Sequence, residues 1–308
     1  MKVLVTGGAG FLGSVLVPML LGKNYKVRVV DNLMFGIDGL LNCFNHENFE
    51  FVKGDIRNEV LMEKAVDDVD CVIHLAALVG YPICKKYEND ALSVNVGGAS
   101  VLDRVLSRDK LVIYPSTDSC YGGFGETCTE ETPLKPLTLY GETKAAAETL
   151  LRKRENTIIL RFATGFGISP RMRLDLLIND FCYRAVKERN LIVYEKGYQR
   201  AFVHVVDMAR AFIFAIQNAD MMTGGVHNVG SEELNLTKEQ VAEFIRKNVK
   251  YYLHYADFEN DADQRNYTVS CEKMKNLGFK TVVDLQKGID QLIKLFEAFE
   301  LPVRYSNV

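Results

Sequence analysis

The chain opens with the stretch Val3-Leu4-Val5-Thr6-Gly7-Gly8-Ala9-Gly10-Phe11-Leu12-Gly13. Its apolar and β-branched beginning predicts a strand. The glycines that follow predict a tight turn, because glycine adopts positive φ without steric cost. Glycines also let backbone N–H groups approach a phosphate, and the N-terminus of a following helix adds a favourable dipole. The stretch therefore predicts a strand, a phosphate-binding turn and a helix, in that order.

An acidic residue follows at the spacing typical of dinucleotide-binding folds. Asp31 ends the next apolar run, 18 residues beyond Gly13, and the pattern places an acid about 20 residues on. Its carboxylate would accept hydrogen bonds from the adenosine ribose and repel a 2′-phosphate, so we expect NAD rather than NADP. The alternative is a glycine turn beside a solvated aspartate. The predicted cofactor contacts of this region are Gly7, Gly10, Phe11, Leu12, Asp31 and Asn32.

Short apolar runs alternate with helical patterns in the first half of the chain. The runs are β-branched and apolar on both faces, as strands buried in a parallel sheet are. They cover residues 2–5, 26–30, 49–52, 71–75, 111–114 and 158–160, with helical spacing at 96–106 and 144–151 between them. This alternation predicts right-handed βαβ units and an α/β fold with a doubly wound, Rossmann-type parallel sheet.

The rhythm becomes irregular after Arg161. Residues 191–194 and 202–206 have strand patterns, and residues 207–218, 237–249 and 285–299 have helical patterns. We expect a Rossmann domain in residues 1–164, with later returns of the chain to it. A smaller α/β substrate-binding lobe is expected mainly in residues 165–308.

Composition excludes several classes of protein. The 308 residues are 48% hydrophobic and 25% charged, with a net charge of -3, so a large core is expected, without a basic surface for nucleic acid or an anionic membrane. Glycines and Pro18 interrupt the uncharged stretch 3–22, which argues against a signal or membrane segment. Seven cysteines without a CxxC spacing predict no metal site and no disulfide framework, and a cytoplasmic location.

A tyrosine and a lysine stand at helical spacing in the middle of the chain. Tyr140 and Lys144 are four residues apart and share one face of a predicted helix. An ammonium near the phenol would lower the tyrosine pKa. Such a tyrosine suits a general base that removes a hydroxyl proton while hydride leaves the same carbon. Taken alone, the pair would be interpreted as an ordinary surface pair.

The motifs together resemble one family. In order they are the glycine loop, Asp31, Gly54-Asp55-Ile56, His74-Leu75-Ala76-Ala77, Asn95, Ser116-Thr117 and the Tyr140/Lys144 pair. In this order they resemble the extended short-chain dehydrogenases/reductases that modify nucleoside-diphosphate sugars. The resemblance runs from residue 2 to about residue 299, nearly the whole chain.

The resemblance implies roles for individual residues. Tyr140 would be the base, Lys144 would bind the ribose of the cofactor, and Thr117 would hydrogen-bond the reacting hydroxyl. Asn95 would be a structural residue near the site. The remaining implied cofactor contacts are Asp55 and Ile56 at the adenine, and Leu75, Ala76 and Ala77 along the strand end. We read His74 as a core histidine, Cys120 as an inert thiol, and leave open that Asp55 is only a turn residue.

Arginines in the second half resemble the substrate-binding residues of the same family. Arg200, in the segment Arg-Ala-Phe-Val-His-Val-Val-Asp, and Arg265 would bind the substrate diphosphate, which a planar guanidinium fits well. Asn179 would contact a substrate phosphate, and Arg171 and Arg173 stand in the same substrate loop. For any one arginine, the alternative is a solvated surface charge. Residues 169–181 also resemble bacterial enzymes that act on GDP-heptose in capsule synthesis.

These resemblances imply NAD-dependent oxidation at carbon 4 of a nucleoside-diphosphate sugar, by a 4-epimerase or a carbon-4 dehydrogenase. The alternatives are a 4,6-dehydratase or a noncatalytic dinucleotide sensor. Dehydratases of the family carry Thr-Asp-Glu where this chain has Thr117-Asp118-Ser119, which implies that water elimination is slow or absent. The family also implies a homodimer paired through helices at residues 95–106 and 140–151.

Overall fold

Strands and helices alternate through the computed structural model, which describes residues 1–123, 127–256, 265–301 and 305–307. The strands are β1 (Lys2–Thr6), β2 (Lys26–Asp31), β3 (Phe49–Lys53), β4 (Cys71–His74), β5 (Leu111–Thr117), β6 (Thr157–Phe162), β7 (Thr164–Phe166), β8 (Asn190–Tyr194), β9 (Gln199–His204), β10 (Val226–Val229), β11 (Asn235–Thr237) and β12 (Tyr252–Ala256). The helices are α1 (Gly13–Leu21), α2 (Glu59–Val66), α3 (Tyr81–Lys86), α4 (Glu88–Ala91), α5 (Gly98–Val105), α6 (Leu139–Leu151), α7 (Leu177–Tyr183), α8 (Val205–Gln217), α9 (Ala219–Met222), α10 (Lys238–Arg246), α11 (Glu272–Asn276) and α12 (Leu285–Ala298). Short 3-10 helices cover Asp38–Asn45, Asp118–Tyr121 and Glu232–Leu234, and π-helical turns cover Leu92–Gly97 and Arg184–Glu188.

A seven-stranded parallel sheet forms the larger part of the molecule, in the order β10-β6-β5-β4-β1-β2-β3. This order confirms the predicted Rossmann-type fold. Val5 pairs with Val29 on one side and Ile73 on the other, so β1 is central. Because all strands are parallel, their carboxyl ends meet at one edge of the sheet, where the glycine loop, Asp31 and Thr117 lie.

Apolar side chains cover both faces of this sheet. Val3 and Val5 belong to a core that includes Leu16 of α1 and Phe212 of α8, while Leu4 belongs to a second core with residues of α2 and α5. The alternation follows from the pleat of the strand, which points successive side chains to opposite faces. Burial on both faces explains why the central strands β1 and β4 are apolar at most positions.

The second half of the chain adds two small sheets, in the orders β11-β9-β7 and β12-β8. A separate apolar core joins them to α7, α10 and α12. The predicted strand at 202–206 ends earlier, at His204, because its Nδ1 accepts the N–H of Val206 at 3.3 Å and begins α8 there. None of the described helices is both long and apolar enough to cross a bilayer.

Candidate active site

A cavity of about 730 Å³ lies at the carboxyl edge of the large sheet. The predicted site residues that line it are Gly7, Gly10, Phe11, Leu12, Asp31, Asn32, Asp55, Ile56, Leu75, Ala76, Ala77, Thr117, Tyr140, Lys144, Arg171, Arg173, Arg200 and Arg265. Asn179 is not among the lining residues. The topology therefore gathers these residues, from nine segments of the chain, around one volume.

The glycine loop is tight enough to exclude larger residues. Gly7 has φ +71°, and a Cβ atom there would lie 2.7 Å from the backbone of Ala76. A Cβ atom on Gly13 would lie 2.5 Å from the carbonyl oxygen of Gly8. The loop thus brings bare backbone to the cavity directly before α1, whose first turn holds no acidic residue. This cradle fits the diphosphate of a dinucleotide.

Asp31 joins the glycine loop to the end of β2. Its Oδ2 accepts the N–H of Ala9 at 2.9 Å, and its Oδ1 accepts the N–H of Leu33 at 2.8 Å. Burial raises the pKa of Asp31, and these two backbone donors lower it in part. Each carboxylate oxygen keeps a second lone pair, so Asp31 can also accept hydrogen bonds from a ribose that enters the cavity.

Asp55 has a local role as well as a place in the cavity wall. Its carboxylate forms an ion pair with Arg57 at 2.6 Å and accepts the backbone N–H of Arg57 at 2.9 Å, as a turn-forming aspartate does. The next residue, Ile56, is buried and fills the space beside Gly98, where a Cβ atom would lie 2.2 Å from its Cδ1.

Helix α6 places the predicted base. Thr138 precedes it and accepts the N–H of Gly141 through its hydroxyl at 3.2 Å, a typical N-cap. The helix then presents Tyr140 and Lys144 to the cavity, and Tyr140 forms a hydrogen bond with Thr117 at the end of β5. The structure therefore brings together the three residues to which the resemblance assigns the chemistry.

The expected lowering of the Tyr140 pKa by Lys144 is wrong for this structure. Burial raises the pKa of Tyr140 above its usual value, opposed by Arg173 and by the hydrogen bond from Thr117. Burial also lowers the pKa of Lys144 to about 7. A lysine that is half neutral near pH 7 has less charge with which to stabilise a phenolate. Spacing predicted the shared face but not the burial of both groups.

Asn95 supports the site from behind. It lies in the π-helical turn Leu92–Gly97. Its Oδ1 accepts the N–H of Leu78 at 2.8 Å, and its Nδ2 donates to the carbonyl of Leu78 and to the hydroxyl of Thr143, both at 3.0 Å. Leu78 lines the cavity and Thr143 precedes Lys144, so this buried amide fixes two parts of the wall. π-helical turns are frequent at functional sites.

The arginines predicted to bind substrate differ from one another in their hydrogen-bonding partners. Arg173 forms an ion pair with Asp175 at 2.5 Å. Arg200 donates to the carbonyl of Gln199 at 3.1 Å. Arg265 Nη1 lies 3.1 Å from Asp118 Oδ1 and 2.8 Å from Ser119 Oγ.

Asn179 holds the loops beside the cavity together. Its Oδ1 accepts the N–H of Gly167 at 2.9 Å, and its Nδ2 donates to the carbonyl of Arg173 at 2.9 Å. The side chain is fully buried. In this structure Asn179 therefore positions the backbone of Arg173, and it does not line the cavity. Its contact with a substrate phosphate stays a prediction.

Several lining residues escaped the sequence analysis, among them Phe35, Lys238 and Asn307. Lys238 begins α10, after the capping-box residue Thr237, and its Nζ lies 3.5 Å from Glu195. A helix-start signal was visible there, but nothing in it indicated a cavity. Phe35 and Asn307 carried no recognisable motif.

Two potentially reactive side chains close to the cavity are buried and do not line it. His74 contacts the Thr6 hydroxyl at 2.9 Å, and burial lowers its pKa to about 3. Cys120 is a free thiol whose pKa burial raises to about 12. Both agree with the inert roles expected from sequence.

The fold and the site define a dinucleotide-binding α/β protein with a tyrosine–lysine pair at its cavity. A sequence model of the NAD dependent epimerase/dehydratase family matches residues 3–230, and the chain belongs to that family. The low-salt glycan biosynthesis protein Agl12 of Haloferax volcanii is 33% identical, over 96% of this chain and 98% of its own. A putative UDP-glucose 4-epimerase of Methanocaldococcus jannaschii is 29% identical, over 94% and 97%.

A solved structure agrees with the fold and the cofactor. The dTDP-glucose 4,6-dehydratase of Bacillus anthracis, in complex with NAD, is 26% identical and has a TM-score of 0.83, with 97% of each chain covered. The family is NAD-dependent, so the cofactor predicted from Asp31 is confirmed.

Proposed function

We propose that this protein oxidises carbon 4 of a nucleoside-diphosphate sugar with NAD, as a 4-epimerase or a carbon-4 dehydrogenase. The observation that carries the proposal is the meeting of Thr117, Tyr140 and Lys144 at one cavity, beside the glycine cradle. A noncatalytic dinucleotide sensor would not need this set of side chains.

Each of these residues has its own role in the proposed reaction. NAD, when bound, accepts a hydride from carbon 4. Tyr140 takes the proton of the hydroxyl on that carbon, and Thr117, already hydrogen-bonded to Tyr140, orients the hydroxyl. Arg173 lowers the pKa of Tyr140 and so favours the phenolate that the base requires. Lys144, buried in the same wall, binds the cofactor ribose.

The substrate diphosphate is proposed to lie among cationic side chains at the other end of the cavity. Arg200, Arg265 and Lys238 all line it, and guanidinium groups suit phosphate oxygens. The sugar and the base stay a proposal. Similarity of residues 169–181 to GDP-heptose enzymes supports GDP-heptose, while relatives are named for UDP-glucose and dTDP-glucose.

A 4,6-dehydratase is the second candidate, because the chain resembles the Bacillus anthracis dehydratase and keeps Asp118 at the acid position. Two features weaken it. Ser119 replaces the glutamate expected as base, and Arg265 forms an ion pair with Asp118 at 3.1 Å. The guanidinium thus occupies an oxygen of the carboxyl group that a dehydratase would use to protonate the departing hydroxyl.

Turnover assays test the proposal directly. The purified protein is mixed with NAD and UDP-glucose, dTDP-glucose or GDP-heptose, and absorbance of NADH and product mass are followed. NADH formation, or a 4-epimer without net NADH, supports the proposal. Binding of NAD without conversion of any sugar nucleotide in this panel would favour the sensor.

A further inference from the structure

The loop that carries Arg171 is attached to the glycine loop. Ser169 Oγ donates to the carbonyl of Phe11 at 2.6 Å and lies 2.8 Å from Ser14 Oγ. The backbone N–H of Arg171 reaches the same Ser14 hydroxyl at 3.4 Å. These bonds hold a segment of the second half of the chain on the first turn of α1, although the two segments are 155 positions apart in sequence.

The Arg171 guanidinium is buried but incompletely paired. The residue is 3% exposed, and its Nη1 donates to the carbonyl of Met172 at 2.9 Å. Its carbon Cζ lies 4.1 Å from the centroid of the Phe35 ring. Both Nε and Nη2 are buried and have no hydrogen-bond partner among the described residues. These two donors share one edge of the planar group, the edge that binds two oxygens of one anion.

The electrostatics of Arg171 favour binding of an anion. Burial and the neighbouring Arg173 together lower the pKa of Arg171 to about 10, partly opposed by Asp175. A buried cation with unmet donors is costly unless a ligand completes it. Arg173 and Arg265, by contrast, already pair with carboxylates of the chain.

The same cavity presents a second element suited to an anion. Gly10, Phe11 and Leu12 line it beside Arg171, and α1 begins there without an acidic residue in its first turn. The positive end of the helix dipole and the buried Arg171 guanidinium therefore border one volume, next to the Phe35 ring. Such a pair matches a diphosphate, whose charge is shared between two phosphate groups.

We propose that Arg171 binds the diphosphate of NAD, together with the N-terminus of α1, rather than the diphosphate of the sugar nucleotide. The substrate loop then clamps the cofactor onto the glycine cradle. The proposal rests on the NAD dependence of the family and not on the reaction at carbon 4, so it stands or falls separately from the proposed function.

Calorimetric titration of Arg171→Met tests this assignment without turnover. The ligands are NAD, ADP-ribose, and whichever of UDP, dTDP and GDP the unchanged protein binds most tightly. Loss of a charge-assisted contact should weaken NAD and ADP-ribose roughly 10- to 100-fold. The nucleoside diphosphate should weaken at least about tenfold less than NAD.

Two results of these titrations would contradict the proposal. If the nucleoside diphosphate loses as much affinity as NAD or more, or if NAD affinity is unchanged, Arg171 does not bind the cofactor diphosphate. Arg200→Met is the matched control, and should affect the nucleoside diphosphate more than NAD. Should Arg171→Met fail to fold, as judged by circular dichroism, Arg171→Lys keeps the charge, loses the paired donors and is held to the same comparison of the two losses.

Discussion

The ammonium of Lys144 lies 4.0 Å from the centroid of the Tyr114 ring. Both residues are buried, with Lys144 only 3% exposed. A cation above an aromatic face is stabilised by the ring quadrupole, by about 2 kcal/mol when desolvated. This contact partly offsets the burial that lowers the pKa of Lys144 to about 7.

Lys144 should make the stability of the protein depend on pH above neutrality. Below about pH 7 the lysine is charged in both the folded and the unfolded state, and the folded state bears the full cost of burying the charge. Between about 7 and 10.5 the folded protein holds the neutral amine while the unfolded chain stays charged. The unfolded state binds more protons there, so stability rises with pH, by up to about 1.4 kcal/mol per pH unit.

Urea unfolding measures the contribution of Lys144 to the pH dependence of stability. The unchanged protein and Lys144→Met are compared between about pH 7 and about pH 9.5. The difference in unfolding free energy between the two should shift in favour of the unchanged protein as pH rises. A difference that stays flat would show that Lys144 titrates normally. Tyr114→Phe is the control, because it keeps the ring and removes a hydroxyl with no partner among the described residues. It should keep the slope.

Tyr140→Phe should abolish turnover and leave NAD binding nearly unchanged. The substitution keeps the ring and removes the group proposed to take the proton, which forms a hydrogen bond with Thr117. General-base catalysis contributes about 10²–10⁴ in rate, so initial rates should fall by at least that range. Rates within about tenfold of the unchanged protein would assign the base to another residue. Calorimetry with NAD separates loss of chemistry from loss of binding.

Asp31→Ala should weaken NAD binding and reduce the preference for NAD over NADP. The carboxylate lines the cavity and is held by the N–H groups of Ala9 and Leu33, a geometry that favours ribose hydroxyls and repels a 2′-phosphate. Loss of a hydrogen bond to a charged group is worth about tenfold or more in affinity. Dissociation constants for both cofactors measure the ratio. Asp55→Asn is the control and should leave it unchanged, and an unchanged protein that prefers NADP would overturn the role of Asp31.

A homodimer is expected through α5, α6 and the π-helical turn before α5. Val101 is 6% exposed and packs in the core of its own chain, so it adds little to such an interface. Leu92 is 49% exposed and Val96 and Val105 are partly exposed, which leaves them available to a second copy. Light scattering at micromolar concentration should give twice the mass of one chain, and Leu92→Arg should shift it toward one. A single-chain mass for the unchanged protein would contradict the dimer.

The predictable parts of the site were those encoded in short segments. The glycine loop, Asp31 and the Tyr140/Lys144 pair each carry their geometry within a strand, a turn or a helix, so spacing was enough to find them. Strand β10 was missed because its sequence, Val-His-Asn-Val, has two polar residues, although all four are buried. His227 contacts the nearby carbonyl of Met222, whereas Asn228 donates to the carbonyl of Ser270, 42 positions away, which only the folded chain brings near.

Contacts between distant segments could not be predicted either, because only folding brings those segments together. Arg265 and Asp118 are 147 positions apart, and Arg171 meets Ser14 across 157 positions. The sequence marked each as a charged or polar residue near a motif. Sequence alone does not show whether a guanidinium pairs with a carboxylate or keeps unpaired donors, because that depends on burial and on the neighbouring chain segments.

The product should keep its 6-hydroxyl. Elimination of water needs an acid for the departing hydroxyl and a base at carbon 5. In this chain Arg265 Nη1 lies 3.1 Å from Asp118 and 2.8 Å from Ser119. Arg265 therefore occupies an oxygen of the expected acid, and a serine hydroxyl is a poor base near neutral pH. Mass spectrometry of products from UDP-glucose and dTDP-glucose should therefore show the mass of the substrate, for an epimer, or the loss of two hydrogens, for a 4-keto sugar. A product lighter by one water molecule would contradict this prediction. Ser119→Ala would then decide the source of the base, since water loss that persists in this variant must be assisted by a different residue.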